Sequence, residues 1–248
     1  MIALIAAVPL ETELLRQTLS PWEVRQCAGY DLFRGSYGGR SIGLLHCGVG
    51  KVNAAAATKA LITACMPSLI LSFGCGGAYP GAGLLTGDLA LATAEIYGDE
   101  GVLTPGGFCD MEAIGFPLAR RGGEAFFNRF PLKAALIEHA APLLKTLCDS
   151  RGCRFASGPF VTISTCSGTL AAGLAMKERT SGICENMEGA AIAHVCQLHD
   201  TPFLEVRGIS NLTEDRDFSR WDLRGAAAMA QQGVLTLLEN RPERAISA

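Results

Sequence analysis

The sequence is short of the features that would assign it quickly. It has four histidines, and the two that share a predicted helix, His194 and His199, are five residues apart. Ligands on one helical face sit three or four apart, so the pair offers no metal site, and none is expected elsewhere. No C-x-x-C pair occurs among the ten cysteines, which are scattered through apolar segments. They read as small hydrophobes of a reduced, cytoplasmic protein rather than as a disulfide or zinc framework. No basic block occurs: 21 basic residues face 24 acidic ones, for a net charge of -3, which argues against a nucleic-acid partner. No apolar run is long enough for a bilayer; "PSLILSF" is too short and "LLTGDLALATA" is interrupted. The opening "MIALIAAVPLETELL" lacks a basic leader and a clear small-residue cleavage site, so it reads as a strand and helix rather than a signal peptide. A Walker loop and a dinucleotide fingerprint are both missing, and no cofactor is expected.

What is present is a large apolar fraction. At 248 residues and 49% hydrophobic, the chain fits one α/β domain over 1–240, with "RPERAISA" (241–248) as a frayed tail. "MIALIAAV" predicts a buried strand, followed by a helix over 9–19 with Pro9 in its first turn. "EVRQCAG", "YDLFRGSYG" and "RSIGLLHCG" predict a meander, and "KVNAAAATKALITAC" a helix. "PSLILSFG" and "GDLALATAEIYG" predict core strands. Residues 98–130, rich in Gly, Pro and Phe, predict a long functional loop. A helix, a strand ("CRFASGPFVTIS") and two further helices follow; then comes a last core strand, "TPFLEVRGIS", and a closing helix. Strands alternating with helices predict a three-layer α/β/α fold. Ligands of such folds bind beyond the carboxyl ends of strands, so the residues after each strand are the candidates.

Glu11 and Glu13 follow the first strand. Acids suit a helix N-terminus, which suffices for Glu13; Glu11, nearer the strand end, could also hold a water as general base. "HCGVGKVN" and "FGCGGAYPGAG" are Gly-rich turns whose backbone can approach a ligand. In "ENMEGAAIAHVC", Glu185 and Glu188 flank Asn186 and Met187 ahead of an Ala-rich helix. Glu188 there is either a helix-capping acid or an acceptor for two sugar hydroxyls, with Met187 under an apolar ring face. Asn211 in "RGISNLTEDRD" ends a core strand, as a strand-end cap or as a neutral reader of a ligand. Arg207, on the same strand, is expected to pair with a carboxylate for structural reasons.

Taken together, "HCGVGKVNAA", "FGCGGA" with "GDLALA", "STCSGT", "ENMEGAAIAHVC" and "VRGISN" resemble, in order and spacing, the purine and uridine nucleoside phosphorylase and nucleosidase superfamily. The resemblance runs from Ile2 to about Ala226 and implies a central mixed, partly barrel-like sheet. It implies that Glu11 holds the attacking water and that Met187 and Glu188 bind the ribose. It places Val49, Cys75, Gly76, Gly77, Thr165, Cys166 and Asn186 around the substrate, with Phe108 as an apolar candidate from 98–118. Asn211 stands where adenine-specific nucleosidases carry an Asp, Asn186 where they often carry Glu, and Cys75 and Gly76 where they carry Ser and Ala. Ser72 stands where the family's phosphorylases carry a phosphate-binding Arg. The resemblance therefore implies hydrolysis of a purine nucleoside, with the chain in a homo-oligomer, dimer or higher. An adenine-directed nucleosidase, a phosphorylase and a non-catalytic nucleoside sensor stay open as alternatives.

Overall fold

The computed structural model describes residues 1–19 and 21–240. The tail 241–248 lies outside the described residues. The first strand shows why the layers form. In β1 (Ile2–Ala6) every residue is buried. Successive side chains of a strand point to opposite faces. Ile2, Leu4 and Ala6 therefore join one core, and Ala3 and Ile5 the other. The first core is filled by α1 (Glu13–Thr18), α3 (Ala134–Arg151) and α6 (Leu223–Glu239), through residues such as Leu15, Leu144 and Val234. The second is filled by α2 (Lys51–Cys65) and α5 (Gly189–His199), through Ala54, Leu61 and Ala190. Sheet between helices is the predicted α/β/α arrangement.

The predicted meander is β2 (Glu23–Cys27), β3 (Tyr30–Tyr37) and β4 (Arg40–His46), and β4 pairs parallel to β1. On its other side β1 pairs with β5 (Leu69–Ala78). From there the sheet closes on itself. β5 pairs with β13 (Cys184–Asn186) and β14 (Phe203–Leu212), β14 with β6 (Leu89–Tyr97), β6 with β12 (Phe155–Thr162), and β12 with β13. Both parallel and antiparallel ladders occur, so the sheet is mixed and its middle is a five-stranded barrel, as expected. The remaining helix, α4 (Leu170–Thr180), begins with Thr169, whose hydroxyl accepts from the Ala172 N–H.

Two expectations are corrected. The segment 98–130 is not an open loop. It contains the hairpin β7 (Gly101–Thr104)–β8 (Gly107–Asp110) and the hairpin β9 (Ala119–Arg121)–β10 (Glu124–Phe126). β11 (Arg129–Pro131) then adds to the main sheet beside β6. The second hairpin turns on Gly122 and Gly123, at φ 58 and 84, the two positive values that a tight hairpin requires. The helix expected over 9–19 is also split, into a 3-10 turn over Pro9–Thr12 and then α1. The cause is Glu11, whose carboxylate folds back onto the preceding backbone.

Candidate active site

Glu11 Oε2 accepts from the Ala7 and Val8 N–H groups at 3.0 and 3.3 Å, and Oε1 accepts from the Cys75 N–H at 2.8 Å. The carboxylate thus bridges the ends of β1 and β5. A Cβ on Gly74 would collide with Oε1, so only glycine lets it lie there. Burial raises the Glu11 pKa above the ordinary carboxylate value, against the opposing pull of Arg207 and the backbone donors. A carboxylate so placed is a stronger base than an exposed one and suits the part of proton acceptor.

Glu188 caps α5: its carbonyl accepts from the Ala191 and Ile192 N–H groups. Its side chain turns the other way, with Oε1 accepting from the Gly50 N–H at 3.0 Å and Oε2 lying 3.4 Å from Arg207 Nη2. Arg207 is 3% exposed and every nitrogen of its guanidinium is engaged: Nε with Glu205 at 2.7 Å, Nη1 with the Cys75 carbonyl at 3.0 Å, and Nη2 with Glu188. Burial opposes its charge, but Glu205, Glu188 and Glu11 outweigh it and hold the guanidinium protonated. Arg207 is thus paired as expected, with Glu205 and Glu188, and its charge also acts on Glu11 without a direct hydrogen bond.

Across the barrel mouth a second polar group forms. A bulge in β14 between Ile209 and Asn211 sets Asn211 opposite Gly77 of β5, and β13 sets Glu185 opposite Gly77 from the other side. Asn211 is held by its neighbours: Ser210 Oγ donates to Oδ1 at 2.8 Å, and Nδ2 donates to the Leu212 carbonyl at 3.0 Å. Glu185 accepts from the Ser167 N–H at 2.9 Å, from Ser167 Oγ at 2.6 Å and from the Tyr79 hydroxyl at 2.9 Å. Burial raises its pKa, while these donors and Arg216 pull it down.

Of the remaining expected residues, Cys75, Gly76 and Gly77 form the β5 floor between the two groups. The Cys75 thiol donates to the Leu223 carbonyl at 3.3 Å, and burial pushes its pKa up to about 12. Such a thiol is no nucleophile. Met187 is half-buried beside Glu188, and Val49 is exposed beside Gly50. Thr165 and Cys166 lie on the loop between β12 and α4, where Cys166 feels the charges of Glu185 and Glu188. Asn186, expected at the substrate, is engaged by its own neighbours. It is buried, Oδ1 accepts from the Glu188 and Gly189 N–H groups and from Thr162 Oγ1, and Nδ2 donates to Glu205. It orients the start of α5, and its Oδ1 is fully committed to those three donors. Phe108 also stands apart, under the Arg179 guanidinium at 4.0 Å. It lines a cavity of about 600 Å³ whose walls include none of Glu11, Glu188 and Asn211.

Three acids were missed as site components. Glu95 and Glu205 are fully buried, both abut Gly189, and burial raises both pKa values, with Glu95 driven furthest by its partner's charge. Glu185 was noted only as a neighbour of Asn186. A signal existed for Glu95 and Glu205: an acid inside an apolar strand, as in "LALATAEIY" and "PFLEVRG", is costly unless used or paired.

The phosphorylase superfamily model matches residues 1–239. The chain is 34% identical over 194 residues to futalosine hydrolase of Thermus thermophilus, covering 78% of this chain and 80% of that protein. It is 25% identical over 240 residues to the 5′-methylthioadenosine/S-adenosylhomocysteine nucleosidase of Staphylococcus haemolyticus, covering 96% and 98%. The crystal structure of the Neisseria meningitidis nucleosidase of that name, in complex with methylthio-immucillin-A, superposes with a TM-score of 0.81 at 25% identity over 96% of this chain and 98% of its own.

Proposed function

The chain belongs to the phosphorylase superfamily, it is an N-glycosyl hydrolase, and we propose that its substrate is futalosine, from which it releases hypoxanthine on a route to menaquinone. The observation that carries the hydrolytic reading is the set of charges around Glu11. A phosphorylase must hold a phosphate dianion, usually with free arginine forks. Here the buried arginine at the strand ends, Arg207, already has all three nitrogens engaged, and Glu11 would repel the dianion. Ser72 lies buried where the family's phosphorylases carry their arginine. Water is the nucleophile that this arrangement accepts.

The mechanism follows from what the bond does on breaking. Positive charge grows on the ribose and negative charge on the departing purine. Glu11, with its raised pKa, positions the water and takes its proton. Glu188 accepts from the 2′- and 3′-hydroxyls; Arg207 and the Gly50 N–H hold its carboxylate at the right angle. Met187 lies under the sugar. Asn211 faces the purine edge, its amide donating to O6 and its carbonyl accepting from a protonated N7. A neutral amide there suits a 6-oxopurine, whereas an ionised acid would face O6 with like charge.

The choice of futalosine rests on the 34% identity to the Thermus thermophilus enzyme together with Asn211. The 25% identity to a methylthioadenosine-type nucleosidase supports the runner-up. The test is to incubate the protein with futalosine, inosine and methylthioadenosine, with and without phosphate, and to follow free base and ribose 1-phosphate by chromatography. Hypoxanthine from futalosine without phosphate is expected. Faster cleavage of methylthioadenosine would favour the runner-up, and a phosphate requirement would overturn hydrolysis.

A further inference from the structure

We propose that Glu185 is the second base-reading residue, accepting the N1–H of the 6-oxopurine whose O6 and N7 face Asn211. The assignment rests on the 6-oxopurine reading above and adds a recognition group to it. Glu185 and Asn211 are both registered opposite Gly77, and a Cβ built there would lie 3.0 Å from the Thr213 methyl and 3.3 Å from Asn211 Nδ2. Neighbouring strands are about 4.8 Å apart, so the two backbones stand about 9–10 Å apart with only a glycine between them. That leaves a glycine floor, edged by the Thr213 methyl, against which a flat ring can lie between an amide and a carboxylate.

The hydrogen-bond inventory shows what each group has left. A carboxylate offers about four lone-pair sites. Glu185 Oε2 takes two donors, the Tyr79 hydroxyl and Ser167 Oγ, while Oε1 takes one, the Ser167 N–H. One acceptor site on Oε1 is uncommitted. Asn211 has used one amide hydrogen and one carbonyl lone pair, and keeps one of each. The open set is therefore acceptor from Glu185, donor and acceptor from Asn211. A 6-oxopurine protonated at N7 presents the complement in order along one edge: N1–H, O6, N7–H. A 6-aminopurine presents a bare N1 lone pair to the carboxylate. Tyr79 is fully buried, and its hydroxyl and the Ser167 backbone fix the carboxylate against rotation. The mechanism has no other use for this acid.

The test is calorimetric titration of the protein with hypoxanthine, 1-methylhypoxanthine and adenine, which needs no turnover. The native protein is expected to bind hypoxanthine at least about tenfold more tightly than either of the others. Glu185→Gln should keep that preference, because the Ser167 N–H can only donate and so holds the amide oxygen at the Oε1 position. Glu185→Leu should lose it. Equal binding of hypoxanthine and 1-methylhypoxanthine by the native protein would overturn the assignment. So would an unchanged preference in a folded Glu185→Leu variant. If that variant does not fold, the native comparison of the methylated and unmethylated bases decides alone. Hypoxanthine preference without release of base from any nucleoside would sink the hydrolase reading while leaving Glu185 as the base reader.

Discussion

At the proposed sugar end of the site, Glu11, Glu188 and Arg207 are pinned by backbone N–H and carbonyl groups from three strand or helix ends. At the base end, Asn211 and Glu185 are held mainly by hydroxyls, those of Ser210, Ser167 and Tyr79. Backbone donors cannot be exchanged without changing the fold, whereas hydroxyl and amide partners can be changed one residue at a time. In the proposed mechanism the first end is therefore preorganised for a fixed event, the growth of charge on ribose and water. The second, on the same proposal, is a set of replaceable hydrogen-bonding groups that choose the base. If this division is right, substitutions at the sugar end should change rate for every substrate, and substitutions at the base end should change the ratio between substrates.

The largest effect is expected at Glu11. Glu11→Gln keeps the acceptor for Cys75 but cannot take a proton, so kcat should fall by about 10²–10⁴-fold on any nucleoside, with the substrate ratio unchanged. In the native enzyme kcat/KM should rise with pH as Glu11 ionises, with its midpoint above the ordinary carboxylate value because burial raises that pKa. The variant should lack this limb. A near-normal rate would remove Glu11 from the mechanism.

Next comes the ratio at the other end. Asn211→Asp should lower futalosine cleavage and raise cleavage of the 6-amino analogue, whose exocyclic N–H can donate to the new carboxylate. The ratio of kcat/KM should move by up to about a thousandfold, since a wrong base leaves buried groups unpaired. An unchanged ratio would mean that Asn211 only caps its strand. A smaller effect tests Glu188: the native enzyme should prefer ribose over the 2′-deoxy sugar by about tenfold or more, and Glu188→Gln should lose most of that preference. An indifferent native enzyme would contradict the diol contact.

The proposed sugar end was the easier to nominate from sequence. Glu11 and Glu188 sit at strand and helix ends, where position made them candidates and the family resemblance gave them roles. Arg207 was seen as a buried arginine needing a partner, but its reach to Glu188 depends on barrel closure, and nothing in "FLEVRG" states which strand lies opposite. Glu185 was hidden for a similar reason. Its meeting with Asn211 requires two strands to register on one glycine, and the bulge at Ser210 shifts that register by a residue. The hairpins within 98–130 were masked by their glycines, which read as loop although Gly122 and Gly123 supply the tight turn. Strands with both faces buried, such as β1, were plain because a continuous apolar run has few other homes.

The smallest effect concerns the acids behind the sugar end, and it separates that end's charge from its chemistry. Glu95 and Glu205 both close on the Cα of Gly189, and three of their four carboxylate oxygens have no hydrogen-bond partner among the described residues. Asn186 links them to the cap of α5, donating to Glu205 and accepting from the Glu188 N–H. Burial raises both pKa values above the unfolded value of about 4.5. A group whose folded pKa is raised adds stability below its unfolded pKa and loses it as pH rises through the folded one. Stability should therefore fall above about pH 4.5, by at most about 1.4 kcal/mol per pH unit for each proton released. Glu95→Gln removes one of those protons and lets an amide donate to the lone oxygen of Glu205. Urea unfolding measured from pH 4.5 to 8.5 should then show a shallower decline for the variant, with the gap over the native protein widening as pH rises. Parallel curves would mean that the pair does not titrate in this range, and that Arg207 alone balances the acids of the site.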